Sequence, residues 1–199
     1  MEAKLTPMGD RLLAEKVEQE TKTLSGIILP DRTVNAKPRL AKVLAVGSGR
    51  LLDNGKVVGL GLKVGDIVVH SKFGGIEIEV KEEKFIVLSE KDVLAIRDGE
   101  TMEMEKLKLL GDRLIVQPDA PDAATKSGIV LPKSIQKRFY TGKIVVAGPG
   151  RWRQSGIWEE MKLKKGQTVM YARYTGMDFK VSDECSLILN QRDIITVIE

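Results

Sequence analysis

The chain is written twice, and this constrains its fold more than any other feature. Gly9-Asp10-Arg11-Leu12 recurs as Gly111-Asp112-Arg113-Leu114, an offset of 102 that runs without a gap through Ser25-Gly26-Ile27-Ile28-Leu29-Pro30 and Ser127-Gly128-Ile129-Val130-Leu131-Pro132. One deletion later the offset is 101. AKVLAVGSGR (41–50) then matches GKIVVAGPGR (142–151), and LKVGDIVVHSKFGG (62–75) matches LKKGQTVMYARYTG (163–176). FIVLSEKDVLAI (85–96) matches SLILNQRDIITV (186–197). A repeat over nearly the whole length is a tandem duplication. It predicts two domains, 1–99 and 100–199, joined by the short polar link Arg97-Asp98-Gly99-Glu100-Thr101-Met102-Glu103.

Each copy reads as all-β. The apolar stretches are short and rich in Val and Ile, as in Lys42-Val43-Leu44-Ala45-Val46, Ile67-Val68-Val69, Ile76-Glu77-Ile78-Glu79-Val80 and Phe85-Ile86-Val87-Leu88. Several alternate with period two, and Gly, Asp or Asn separates them. Asn54-Gly55 marks a hairpin turn. Ser89-Glu90-Lys91-Asp92 has room for one helical turn at most. So many short strands in so few residues predict a small closed or partly closed barrel in each copy, because closure removes open strand edges.

The duplication also filters chemistry. His70 aligns with Tyr171 and Cys185 with Lys84, so neither belongs to a reaction shared by the copies. One cysteine and one histidine leave no zinc site of Cys and His and no triad with a choice of bases. Gly47-Ser48-Gly49-Arg50 and Gly148-Pro149-Gly150-Arg151 survive duplication, but a hairpin follows them rather than a helix, so they read as strand-end turns and not phosphate cradles. Asp66 recurs only as Gln167, which argues against a catalytic acid. No catalytic, cofactor or metal site emerges.

Nor does the charge pattern read as a nucleic-acid footprint. The net charge of +4 lies wholly in the second half and is spread among acidic residues, while aromatics make up only 5%. The longest apolar runs are far too short to span a membrane. No signal or transit sequence opens the chain, so any targeting segment is expected to be missing from these residues.

The repeated phrase is the functional candidate. Glu18-Gln19-Glu20-Thr21-Lys22-Thr23 precedes the first and Pro118-Asp119-Ala120-Pro121-Asp122-Ala123 the second, with polar sequence again following each. An aliphatic island between segments too polar to pack predicts a loop that is mobile when free and orders on a partner. The competing expectation is that Ile27-Ile28-Leu29 is one more strand of the barrel.

Taken in order, these stretches resemble a known family. Gly-Asp-Arg, Ser-Gly-Ile-x-Leu-Pro, Val-Gly-x-Gly-Arg, Val-Gly-Asp, an aromatic-Gly-Gly and Ser-Glu-x-Asp-Val-Leu-Ala-Ile look like the GroES-type cochaperonins, the chaperonin-10 family. The second copy carries a looser version, with Ala147-Gly148-Pro149-Gly150-Arg151 and Tyr174-Thr175-Gly176. Two such domains in one chain are similar to the tandem cochaperonins of plastids, so the plastid stroma is the expected compartment, ahead of a mitochondrial matrix or bacterial cytosol.

The resemblance implies two GroES-like irregular β-barrels, each with a long mobile loop and a roof hairpin. It implies a sevenfold dome that caps a double-ring chaperonin, closing a chamber in which unfolded clients fold. By position, Gly26, Ile27, Ile28 and Leu29 bind the chaperonin in copy one, and Gly128, Ile129, Val130 and Leu131 in copy two. ATP is used by the partner, and this chain needs no cofactor. Burying three aliphatic side chains contributes roughly 5–8 kcal/mol gross, while ordering the loop costs on the order of 2–5 kcal/mol, so each loop alone binds weakly and several on one ring bind well.

In the family, first and last strands of neighbouring domains pair to close the ring. Asp92-Val93-Leu94-Ala95-Ile96 and Leu107-Lys108-Leu109-Leu110 are suited to that pairing across the short link. Two domains per chain cannot tile seven places, which favours small homo-oligomers and mixed rings with a single-domain cochaperonin. Trp152 and Trp158 replace Leu51 and Val57 in the second roof hairpin, where they either pack the hairpin on itself or a neighbour or form a client-facing or RNA-stacking patch. Two rivals stand beside this reading. Zinc-dependent dehydrogenases contain GroES-like barrels, but they need a nucleotide-binding domain and ligands missing here. A tandem nucleic-acid-binding barrel is the other.

Overall fold

The computed structural model describes residues 5–17, 39–99, 103–119, 139–181 and 184–198. Among them no α-helix occurs, and the chain runs through short antiparallel strands and three 3-10 turns. Copy one contains β1 (Arg11–Val17), β2 (Arg39–Val46), β3 (Arg50–Leu51), β4 (Val57–Val58), β5 (Ile67–His70), β6 (Ile76–Val80), β7 (Glu83–Ser89), a 3-10 turn at Glu90–Asp92 and β8 (Val93–Arg97). A 3-10 turn at Met104–Lys106 then leads into β9 (Leu107–Leu109). Copy two continues with β10 (Arg113–Pro118), β11 (Phe139–Ala147), β12 (Gly150–Trp152), β13 (Trp158–Glu160), β14 (Thr168–Ala172), β15 (Met177–Val181), β16 (Glu184–Asn190), a 3-10 turn at Gln191–Asp193 and β17 (Ile194–Ile198).

The two main sheets repeat one topology. Their orders are β6-β7-β1-β2-β5-β8-β9 and β15-β16-β10-β11-β14-β17, and each copy adds a separate two-stranded hairpin, β3-β4 or β12-β13. Even the irregularities recur. A bulge falls between Leu13 and Ala14 where β1 meets β2, and another between Ile115 and Val116 where β10 meets β11. A bulge bends a strand and sharpens its twist, which curls a short sheet around a core.

The GroES-like fold is thus present twice, but neither sheet closes on itself as a full barrel would. At the junction the open edge of copy one is covered. The outer edge of β8 bonds to β9, with Ala95 opposite Leu109, Ile96 opposite Lys108 and Arg97 opposite Leu107. A strand that opens copy two therefore finishes the sheet of copy one.

Three cores follow from this arrangement. Leu12, Val43, Val68, Leu88 and Val93 fill copy one, and Leu114, Ile144, Val169, Tyr171 and Leu189 fill copy two. The third is shared: Val69, Leu94 and Ala95 of copy one pack with Met104, Leu107, Leu109, Ile115, Phe179 and Ile188. At roughly 1.5–3 kcal/mol for each fully buried large apolar side chain, this shared core contributes about as much as a small domain's own.

Candidate functional site

The eight residues expected to bind the chaperonin, Gly26 to Leu29 and Gly128 to Leu131, lie outside the described residues. Their anchors are described. In copy one Val17 at the end of β1 stands opposite Leu40 near the start of β2. In copy two Pro118 stands opposite Gly142, and Asp119 N–H donates to Thr141 O at 3.0 Å while Thr141 Oγ1 donates to Asp119 Oδ2 at 2.6 Å. Each expected loop therefore departs from and returns to one neighbouring strand pair.

The base of each loop carries duplicated features. His70 pairs in register with Arg39, the first residue of β2, and its ring is buried with Nδ1 3.0 Å from Ser71 O. Burial pushes its pKa below the ordinary value. In copy two Tyr171 fills this position, its ring 6.3 Å from that of Tyr140, with its pKa pushed up to about 12 chiefly by burial. The unshared histidine is thus a buried strand residue. Nearby Phe73 and Tyr174, at equivalent positions, are 90% and 91% exposed. The Lys72 Nζ lies 5.4 Å from the Phe73 ring centre, and the Arg173 guanidinium 5.1 Å from that of Tyr174.

The repeated motifs meet in space. Gly47 N–H donates to Arg11 O at 2.8 Å and Gly49 N–H to Gly9 O at 2.9 Å, and Gly148 and Gly150 repeat this with Arg113 O and Gly111 O. Gly47 must be glycine because a Cβ there would stand 2.8 Å from Arg11 O. Both Gly-x-Gly-Arg stretches are turns between a long strand and the roof hairpin. Asp66 Oδ2 accepts from Lys63 N–H at 2.8 Å and Gln167 Oε1 from Lys164 N–H at 2.8 Å, so both residues hold the same turn. Asp92 Oδ2 accepts from Ser89 N–H and Oγ, and Asp193 Oδ2 from Asn190 N–H and Nδ2, capping equivalent 3-10 turns.

The Gly-Asp-Arg arginine has a role that sequence reasoning missed. Arg113 Nη2 reaches back into copy one and donates to Lys91 O at 2.7 Å, while its Nη1 donates to Leu110 O at 2.8 Å. It straps the start of copy two onto the 3-10 turn that precedes the last strand of copy one. Its counterpart Arg11 is exposed. Part of the equivalent strand of copy two is exposed as well. Ile195, the counterpart of buried Leu94, is 53% exposed on β17, beside a groove of about 250 Å³ lined in part by Lys162, Leu163, Ile194 and Val197.

The roof hairpins are clasped. Arg50 Nη2 donates to Trp152 O at 2.9 Å, and Asp53 N–H to Gln154 O at 3.0 Å. Gln154 Nε2 donates to Leu51 O at 3.2 Å and Asp53 Oδ1 at 3.0 Å. Lys56 Nζ sits 4.5 Å above the Trp152 ring, which meets Trp158 edge-on at 5.4 Å. Of the two expectations for the tryptophans, the structure shows packing on the hairpin and its neighbour. Behind them Arg153 Nη2 donates to Glu159 Oε1 at 2.6 Å, and Arg151 Nε to Oε2 at 3.2 Å. The Arg153 hydrogen bond, seconded by Arg151, holds the Glu159 carboxyl at about 2, far below the usual range.

Among the described residues no group of three His, Cys, Asp or Glu side chains gathers as a metal would need. Cys185 is a free, exposed thiol.

Comparison with known proteins gives these surfaces a context. The family model described as "Chaperonin 10 Kd subunit" matches twice, at residues 4–97 and 106–198. The chain is 32% identical over 195 residues to a "20 kDa chaperonin, chloroplastic" of Arabidopsis thaliana, covering 98% of this chain and 76% of the relative. It is 34% identical over 193 residues to the protein of the same name from Spinacia oleracea, covering 96% and 74%. It is also 51% identical over 92 residues to a "Co-chaperonin GroES" of Thermus thermophilus, covering 46% of this chain and 90% of the relative.

Proposed function

The chain belongs to the chaperonin 10 Kd subunit family in both of its halves, and we propose from that membership that it is a cochaperonin that caps a double-ring chaperonin through two loops. The observation that carries this reading is the family match running through both copies. The apolar phrases Ile27-Ile28-Leu29 and Ile129-Val130-Leu131 fall between β1 and β2 and between β10 and β11, whose neighbouring strands hold each loop at both ends. The chain brings binding surface and no reactive group. ATP is spent by the partner, and unfolded clients are the cargo of the closed chamber. The rival reading as a nucleic-acid-binding barrel has no support in the family or in the relatives' names. The plastid is the favoured compartment, supported by two chloroplastic relatives whose matches run across both halves.

Copies of this chain associate head to tail in this reading. Within the chain, β9 and the Arg113 strap complete β8. The same elements of a second copy, Leu5-Thr6-Pro7 and Arg11, complete β17 at its open edge. Such a contact is heterologous, so it builds homo-oligomers of the chain or mixed rings with a single-domain cochaperonin.

The test is replacement of Ile27, Ile28 and Leu29, or of Ile129, Val130 and Leu131, by Ser. Each set weakens capping at least about tenfold, read as co-sedimentation with a chaperonin and nucleotide, while thermal melting stays near wild type. A collapse of stability would make the triplet part of the core and overturn the loop assignment. Undiminished capping by the variant altered in both loops would overturn the function.

A further inference from the structure

The roof clasp within the chain can be transposed by the repeat onto the boundary between two copies, and the transposition is not neutral. At the offset of 101, Lys56 becomes Ile157 and Trp152 becomes Leu51. Both replacements are large exposed aliphatic side chains in this structure, Ile157 at 62% and Leu51 at 63%. Leu51 lies on the side of hairpin one that corresponds to the clasped side of hairpin two, and Ile157 on the side that corresponds to the clasping side of hairpin one.

The side-chain polar part of the clasp transposes only in part. Arg151 Nε is ion-paired with Asp112 and Glu159 of its own copy, as Arg50 Nε is with Glu90, so the arginine is preserved in both hairpins. Asp53, the counterpart of Gln154, has no side-chain N–H to donate, and its Oδ1 already accepts from Gln154. The steric part does transpose. A Cβ at Gly156 would run into Asn54, whereas Gly55 has open space where the counterpart of Asn54, Ser155, would come.

We propose that the roof carries a second contact between copies of this chain, in which Ile157 of one copy closes over Leu51 of the next. This rests on the head-to-tail reading above and adds a separate surface to it. Where the covalent junction has a cation over an aromatic ring and the Gln154 amide, the junction between copies has an aliphatic pair and Asp53. An aliphatic pair without directional partners loses little to competing water and tolerates reopening, while a charged lysine facing Leu51 would be left desolvated and unpaired. The two kinds of roof junction in one assembly are therefore chemically different.

Association of the full chain is measured by sedimentation equilibrium for wild type, Ile157→Asp, Ile157→Lys, and Ile157→Lys combined with Leu51→Trp. Ile157→Asp and Ile157→Lys each raise the dissociation constant about tenfold, with unchanged circular dichroism and tryptophan fluorescence at monomer concentrations. The double variant recreates the Lys56–Trp152 pair at the boundary and restores association toward wild type. Wild-type association by Ile157→Asp, or failure of Leu51→Trp to rescue Ile157→Lys, overturns the roof contact. Ile195→Asp on the sheet edge serves as the discriminating control. If it disrupts association while Ile157→Asp does not, head-to-tail pairing stands and only the roof contact falls. If wild type shows no association, both fall.

Discussion

Val93–Arg97 and Ile194–Ile198 are the same strand written twice, and they have opposite environments. In β8, Val93, Leu94 and Ala95 are buried. In β17, Ile195 and Thr196 are exposed and the rest half-buried. Their chemistry is close enough that propensity cannot account for the contrast. What differs is the neighbour: β8 receives β9 and the shared core, and nothing among the described residues covers the outer edge of β17. Duplication has thus covered one of two equivalent edges within the chain and left its mate open among the described residues. A separate subunit gives up translational freedom to reach this interface, whereas a tethered copy meets it at high effective concentration.

The sharpest test of the contrast is one substitution made at both places. Leu94→Ala removes a side chain that is 7% exposed and costs about 2–5 kcal/mol of unfolding free energy. Ile195→Ala, in a side chain 53% exposed, costs under about 0.5 kcal/mol at concentrations where the chain is monomeric. Urea denaturation followed by circular dichroism gives both values. Equal costs in dilute solution would break the comparison. A deficit for Ile195→Ala that appears only on raising the protein concentration would sharpen it, because only association buries that side chain.

A second asymmetry is chemical. His70 lies at the base of the first loop and Tyr171 at the base of the second, so only copy one carries a group there that titrates near neutrality. Burial depresses the folded pKa of His70, and Arg39 and Lys16 act in the same direction. The Ser71 carbonyl and Asp92 oppose it. A group with a depressed folded pKa contributes its full stability above its unfolded value, ordinarily 6.5. That contribution is lost as pH falls from there through the folded value, because the unfolded chain takes up the proton first. Unfolding free energy should therefore decline below about pH 6.5 in wild type and decline less in His70→Phe. Parallel pH profiles for the two proteins would show that His70 is not the group responsible.

Much of this architecture was legible in the chain. Period-two alternation located β6, Asn54-Gly55 the first roof turn, and Ser89-Glu90-Lys91-Asp92 its 3-10 turn, because each depends on residues within a few positions. What escaped was non-local. The pairing of Leu107-Lys108-Leu109 with the last strand of copy one was legible only through resemblance, since an edge strand's hydrogen-bond partner leaves no mark in its own sequence, and β8 and β9 do pair. The Arg113 strap and the Gln154 clasp are likewise contacts between copies, invisible while each copy is read alone. The loop residues were named by their apolar island and by resemblance, and they lie outside the described residues.

The smallest contrast lies in the roof, where Glu159 occupies the position of Val58. Hairpin two is braced by an ion pair with two arginines and hairpin one by an aliphatic residue, so acid should loosen only the second. The folded pKa of Glu159, about 2, lies below its ordinary 4.5. Its contribution is therefore complete above 4.5 and is lost as pH falls through the folded value. The group stands near solvent, where ion pairs contribute little to global stability, so the effect should be local rather than a change in the main melting transition. Trp152 and Trp158 report on this hairpin directly and are the only tryptophans in the chain. Their fluorescence should change between pH 4.5 and 2 in wild type, with far-UV circular dichroism marking any global unfolding, and Glu159→Gln should already show the altered signal at neutral pH. A wild-type change centred near the ordinary carboxylate value would mean that Arg151 and Arg153 do not hold Glu159 in solution, and the two hairpins would then be alike in what braces them.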